Sequence, residues 1–392
     1  MSWPIAKLGD IAQKVDYGLT ASAVDNPGGP RFLRITDMQD DSVDWSAVPS
    51  CDCTSKEFEE NKLEVGDILF ARTGATTGKS YLIRALDRAA IFASYLIRVR
   101  PSENVDPIYL SHFFKSSNYW FQIAAMANGA AQPGVNSSKL RELEVPLPPL
   151  SEQKRIAAIL DKADAIRRKR QQTIRLADDL LRSVFLDMFG DPLTNPKGWK
   201  VVELSELVDP HDRLNYGVVQ PGENDPVGVP LVRSGDLSDI TPDENELRRI
   251  SADIDFKHRK SKLKGNEILI ACVGTIGRLG WVGEDMVGWN IARAVTRIPI
   301  RDEVNREYIY RYLQSAVVQG YFERETRAVA QPTLNVGLIA KTPIALPPQE
   351  LQGEFLERYR HIQAYKYRSF RALRVQESLM ASLSQKAFSA KL

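Results

Sequence analysis

Pro146-Leu147-Pro148-Pro149-Leu150-Ser151-Glu152-Gln153-Lys154-Arg155-Ile156 opens a stretch that meets no further Gly or Pro until Gly190. The prolines cannot extend a preceding helix, so a new one starts after them. Ser151 is the expected N-cap, with Glu152 in the first turn where a negative charge is favoured. Apolar residues recur at Ile156, Ile159, Leu160, Ala163, Ile166, Ile174, Ala177, Leu180, Leu181, Val184 and Met188. Steps of three, four and seven mark one apolar face of a helix. About 37 helical residues at ~1.5 Å each make a rod of ~55 Å. A helix of that length needs a long partner to bury its stripe.

The partner lies 199 residues downstream, where Leu346-Pro347-Pro348 repeats Leu147-Pro148-Pro149. The same offset carries Ile156 to Phe355, Leu160 to Tyr359, Ala163 to Ile362, Ile166 to Tyr365, Ile174 to Leu373, Leu181 to Met380 and Val184 to Leu383. Working outward, the repeat extends over nearly the whole chain. Trp3, Leu8 and Ile11 match Trp199, Leu204 and Leu207, and Tyr17-Gly18 matches Tyr216-Gly217. Leu33-Arg34 with Asp37 matches Val232-Arg233 with Asp236, Ile68-Leu69 with Gly74 matches Ile268-Leu269 with Gly274, and Gln132-Pro133 with Asn136 matches Gln331-Pro332 with Asn335. An internal repeat decides architecture before any motif does. The chain therefore reads as a globule and a long helix, written twice: globules over 1–148 and 191–347, helices over 149–190 and 348–392.

Within the first globule, Phe32 to Ile35, Ile68 to Ala71 and Ile91 to Val99 read as strands, and Pro107 to Met126 has helical spacing. The second repeats this with Leu231-Val232, Ile268 to Val273, Ala292 to Ile298 and a helix around Tyr308 to Val318. The fold class is α+β, with two similar globules separated by an antiparallel pair of long helices and related by a pseudo-two-fold repeat. That symmetry predicts that the chain ends meet, and that a permutant reopened near Gly190 folds.

Composition narrows the function. The chain has 392 residues and a net charge of +2, so a polyanion must be met by local patches rather than by an overall field. Three cysteines, with Cys51 close to Cys53, and four histidines suggest a reducing compartment and no metal site. The start lacks an apolar signal core and no apolar run is long enough to span a membrane, which points to the cytoplasm.

Gly74-Ala75-Thr76-Thr77-Gly78-Lys79-Ser80 imitates a phosphate-binding P-loop but has three residues between its glycines where that motif needs four. The second copy, Gly274-Thr275-Ile276-Gly277-Arg278, has no Lys-Ser. Two compatible readings remain: a glycine turn between strands, and a loop offering N–H groups, hydroxyls and a cation to DNA phosphates. Arg34 with Asp37, and Arg233 with Asp236, read as a salt bridge at a turn. Appearing identically in both copies, they are poor candidates for reading two different sequences. Gln132 and Asn136, with Gln331 and Asn335, can satisfy turn backbone or pair with adenine, and their occurrence in both copies favours a structural role or a contact to the DNA backbone. Arg167-Arg168-Lys169-Arg170 reads as a solvated face, or as a contact to DNA or a protein. No S-adenosylmethionine loop, nuclease motif or Ser/His/Asp arrangement is visible.

The duplicated globule-plus-helix, with Leu147-Pro148-Pro149-Leu150-Ser151-Glu152-Gln153 opening the helix and Phe189-Gly190 and Lys197-Gly198-Trp199 at the junction, resembles the specificity subunit of type I restriction-modification systems. The second helix departs from the pattern, since Pro347-Pro348-Gln349-Glu350-Leu351-Gln352 lacks the serine and Gly353 follows. The resemblance implies two target-recognition domains that each read half of a split double-stranded DNA target, and helices that act as spacer and dock two methylation subunits. Restriction and translocation subunits join through these. S-adenosylmethionine, ATP and Mg are then expected in the partners, with no catalytic residue, cofactor or metal in this chain. DNA contacts are expected at Arg72, Thr76, Thr77 and Lys79 in the first globule and at Thr275 and Arg278 in the second. The rival readings are a helical-rod protein scaffold, or a stand-alone methyltransferase or nuclease.

Overall fold

A computed structural model describes all residues except 1–2, 27, 40, 128–133, 193 and 327–332. Two helices of 40 residues dominate it, Leu150–Phe189 and Gln349–Phe388. The chain divides into two compact units, and both helices contribute to each: unit 1 is Met1–Gln172 with Ser369–Leu392, and unit 2 is Thr173–Arg368.

Each unit holds a four-stranded antiparallel sheet. In unit 1 the order is Ala12–Tyr17, Leu96–Pro101, Ile68–Ala71, Ser80–Leu82, with Ile68 opposite Val99 and Ala71 opposite Leu96. In unit 2 it is Asn215–Tyr216, Val295–Pro299, Glu267–Ala271, Leu279–Trp281, with Ile268 opposite Ile298 and Ala271 opposite Val295. A parallel pair lies beside each sheet, Arg31–Leu33 with Ala90–Phe92 and Leu231-Val232 with Asn290-Ile291. The expected run from Ile91 to Val99 is thus two strands around a turn. The central strands Ile68–Ala71 and Glu267–Ala271 are buried on both faces, which their continuous apolar runs require.

The expected helix over Pro107–Met126 is broken into Pro107–Phe113 and Ser117–Ala127, and its counterpart into Arg306–Gln314 and Ala316–Thr326. Serine makes both breaks. Ser116 Oγ accepts from Tyr119 N at 3.3 Å and Ser315 Oγ from Val318 N at 3.4 Å, each capping the start of a second helix.

Inside each unit the long helices pair antiparallel. In unit 1, Arg170 Nη1 donates to Ala372 O at 2.6 Å and Gln376 Nε2 to Ala163 O at 2.8 Å, while Ile156 and Leu160 join Ala387 and Phe388 in one core. In unit 2, the Phe189 and Phe355 rings lie 5.0 Å apart and Lys366 pairs with Asp178 at 2.5 Å. Trp3 Nε1 donates to Ala387 O at 2.8 Å, so the ends meet as expected. Trp199 Nε1 makes the same bond to Phe189 O at 3.0 Å in the other unit.

Two expectations fail on these helices, the serine cap and part of the apolar seam. Ser151 is not the N-cap: the helix starts at Leu150, and Pro149 O accepts the first bonds from Glu152 N and Gln153 N. Ile166 is not in the seam: it is 41% exposed, and its counterpart Tyr365 and Leu180 are exposed too. The facing stripe passes instead through Ile156, Leu160, Asp164 and Ala177, all buried, while the buried Gln153 bonds to Asp106 N and to the carbonyls of Asn104 and Pro148. A count of apolar residues skips Asp164, which is 4% exposed and neutralised by Arg167 at 2.8 Å and Arg168 at 3.1 Å. Burial would raise the Asp164 carboxyl, but these arginines hold it below the ordinary range.

The cysteines are free thiols. Among the described residues no cluster of His, Cys, Asp or Glu could hold a metal ion, and no helix is long and apolar enough to cross a membrane.

Candidate nucleic-acid interface

The strand Ile68–Ala71 must reverse into Ser80–Leu82 within a few residues, and glycine makes this possible. Gly74 and Gly78 take φ of 81° and 83°, and Gly274 and Gly277 take 81° and 79° in the second copy. Thr77 Oγ1 donates to Gly74 O at 2.7 Å, and Tyr119 Oη donates to Gly78 O from below. Gln319 Nε2 does the same for Gly277 O at 3.0 Å. The glycine-turn reading therefore holds, with the loop pinned by a helix beneath it.

Pinning leaves the charges outward. Lys79 and Arg278 are exposed and equivalent: Ala71 N donates to Lys79 O at 2.9 Å and Ala271 N to Arg278 O at 2.8 Å. Thr275 is exposed, Thr76 and Thr77 are half-buried. Thr76 and Lys79 line a cleft of 580 Å³ with Tyr81, Trp120 and Arg167. Arg72 leaves this cleft and lies over the Tyr17 ring, 5.0 Å from its centre. Tyr17 Oη accepts from Ser137 N at 3.0 Å, which fixes the ring. Thus Thr76, Thr77 and Lys79 form one group, Arg72 stands beside them, and Thr275 and Arg278 form the group of unit 2.

The remaining motifs are structural. Asp37 accepts from Arg34 N, Nε and Nη2 at 2.8, 3.0 and 2.8 Å, and Asp236 from Arg233 at 2.9, 3.0 and 3.2 Å. Asn136 and Asn335 are N-caps, each accepting at 2.8 Å, from Lys139 N and Leu338 N. Gln132-Pro133 and Gln331-Pro332 lie outside the described residues. The basic run faces inward more than expected, since Arg167 and Arg168 bind Asp164 and Arg170 binds the facing helix.

Each sheet also carries an arginine that the strand pattern conceals. Arg98 and Arg297 occupy the same register, opposite Leu69 and Leu269, and are fully buried. Arg98 bonds to Asp16 and to the carbonyls of Lys62 and Glu60. In unit 2 the counterpart of Asp16 is Asn215, and Arg297 takes Glu267 and Asp212 instead. The buried cations hold the sheets that present the loops. Tyr17, Tyr95, Tyr216 and Arg293 are exposed as well and were not among the expected contacts. The only signal for them was an aromatic or basic residue at the end of a strand.

A family model described as the type I restriction modification DNA specificity domain matches residues 2–176 and 196–363. The chain belongs to this family. Its two repeats are the two specificity domains, and they coincide with the duplication seen in sequence and fold. The EcoBI specificity subunit of Escherichia coli is 32% identical over 296 residues, 68% of this chain and 62% of that protein. A putative type I specificity subunit, MjaX, of Methanocaldococcus jannaschii is 27% identical over 55% of this chain and 52% of its own length. The chain thus spans less than two thirds of these relatives in alignment. A type I restriction-modification S subunit from M. genitalium shares the fold, with a TM-score of 0.58 at 15% identity over 99% of this chain and 96% of that one.

Proposed function

We propose that the chain is the DNA-specificity subunit of a type I restriction-modification complex and has no chemistry of its own. Each domain reads one half of a split double-stranded target, and the paired helices space the halves and dock two methylation subunits. Restriction and translocation subunits join through those. S-adenosylmethionine, ATP and Mg act in the partners, and the assembly works in the cytoplasm.

The observation that carries this reading is the duplicated loop. Two units of one fold offer the same pinned turn with a cation at the same position, Lys79 or Arg278, which suits contact with two stretches of phosphate backbone. Arg72, Thr76, Thr77, Lys79, Thr275 and Arg278 are the proposed contacts. Docking has its own support. Exposed apolar residues recur in equivalent triples, Ile166 with Val375 and Leu379 in unit 1 and Tyr365 with Leu176 and Leu180 in unit 2. Two like patches suit two copies of one partner. Such apolar exposure on a helix face marks an interaction site.

Gel shifts on the full chain, with and without co-expressed methylation subunits, test the reading. Salt-dependent, sequence-selective binding that strengthens in the complex is expected. Equal binding to all duplexes would refute it.

A further inference from the structure

The two units repeat a backbone frame bond for bond beside the glycine loop, and then decorate it differently. In unit 1, Leu19 N donates to Phe92 O at 2.9 Å, Ser94 N to Leu19 O at 2.9 Å, Arg72 N to Tyr95 O at 3.1 Å and Val135 N to Arg72 O at 3.1 Å. In unit 2, Val218 N donates to Ile291 O at 2.8 Å, Arg293 N to Val218 O at 2.9 Å, Cys272 N to Ala294 O at 2.8 Å and Leu334 N to Cys272 O at 3.0 Å. Close packing enforces the frame: a Cβ on Gly18 would lie 2.1 Å from Phe92 O, and one on Gly217 would lie 1.7 Å from Ile291 O. On this shared frame Arg72 is replaced by Cys272, Ser94 by Arg293 and Tyr95 by Ala294.

A residue with the same task in both units keeps its chemistry, as Arg34 and Arg233, Asn136 and Asn335, and Lys79 and Arg278 do. A residue that reads sequence must change when the two half-sites differ. Arg72 and Arg293 are exposed, and each stands where the other unit has no cation. Arg98, Arg297, Arg34 and Arg233 each hold a carboxylate. Among the described residues no side chain or carbonyl accepts from the guanidinium of Arg72 or Arg293. The Arg72 guanidinium lies instead over the Tyr17 ring, 5.0 Å from its centre, and Ser137 N fixes that ring. A cation–π contact positions the guanidinium and leaves its N–H donors unused.

We propose that Arg72 and Arg293 are the base-reading residues of their units, each pairing its fork with the O6 and N7 of a guanine in the major groove, while Lys79 and Arg278 hold phosphates. The assignment rests on the DNA-reading function proposed above. It splits the loop residues into readers that differ between units and anchors that do not.

The test is selection from a randomised DNA duplex library by the full chain, purified with co-expressed methylation subunits. Wild type, R72A, R72K, R293A and K79A are compared. Wild type is expected to enrich a two-part motif. R72A and R72K lose a guanine preference at one position of one half, by roughly 5- to 150-fold, and R293A does so in the other half. K79A keeps the motif, with lower recovery and a salt slope reduced by about 0.9. R72A and R293A returning the wild-type motif at lower recovery would make them phosphate contacts and overturn the assignment. R72K preserving what R72A loses would overturn the bidentate contact. No motif with wild type would overturn the DNA-reading function itself, a result distinct from the other two.

Discussion

Replacing Arg297 by Met should unfold unit 2 far more readily. Glu267 is 0% exposed and accepts from Arg297 Nη2 at 2.9 Å, with Lys264 N and Gly265 N both at 2.9 Å as its other partners. Met fills much of the volume but leaves a buried carboxylate without its cation. Breaking such a pair costs about 3–5 kcal/mol. With a urea slope of roughly 2–3 kcal/mol per M, the midpoint should fall by about 1–2.5 M. R98M is the internal control. Its carboxylate partner Asp16 is 39% exposed and can rehydrate, so about 1–3 kcal/mol is expected. E267Q added to R297M should recover part of the loss by removing the stranded charge. The assay is urea unfolding of the full chain read by hydrogen exchange with mass spectrometry, which separates the units. R297M unfolding with the wild-type midpoint, or E267Q deepening the loss, would refute the reasoning. Acid should act at the same cluster. Burial raises the Asp212 carboxyl, but hydrogen bonds from Arg297 and Lys264 bring it to about 2, below an unfolded value of ~3.9. Its contribution is therefore complete above about pH 4 and disappears as the pH falls through 2. R297M should show less of this loss.

Other expectations are simpler to state. I166D with L379D should leave thermal unfolding of the free chain within about 0.5 kcal/mol of wild type, both sites being exposed, yet weaken co-purification with methylation subunits; a large loss of stability would return Ile166 to the seam. L160A, in the buried seam, should cost about 2–5 kcal/mol by denaturant unfolding. A permutant joined at the present ends and reopened between Gly190 and Trp199 should fold, because Trp3 and Ala387 already make the contact of Trp199 and Phe189; insoluble protein would contradict the pseudo-symmetry. Inserting four residues near Thr173 and four near Ala372 adds ~6 Å of helix, so the spacer in the recognised DNA should grow by about two base pairs, and an unchanged spacer would remove the helices' measuring role.

The duplication was legible because an offset of 199 residues survives in prolines, glycines and caps, which tolerate little change. Arg34–Asp37 and the Asn136 cap were legible for the same reason, since local hydrogen bonding follows from spacing alone. The seam was misread where Asp164 and Gln376 take inward positions, because buried polar residues neutralised by nearby partners look like surface to an apolar count. Arg98 and Arg297 were hidden by the same ambiguity. An arginine inside a strand gives no sign of which face it takes until Asp16 or Glu267 is brought to it by pairing. Helix breaks at Ser116 and Ser315 were visible only as a shared serine. Arg72 was named as a candidate from its place beside the loop, but its position over the Tyr17 ring depends on strand ends 55 residues apart. Arg293 needed both backbone frames to be compared.

Modification-sensitive sequencing of host DNA, with and without this chain, tests the central claim most directly. A split, asymmetric motif carrying methylated adenine in each half, present with the chain and gone without it, is the predicted result. Methylation that persists unchanged without the chain, or a single uninterrupted motif, would contradict an account in which two unequal readers are carried on one polypeptide.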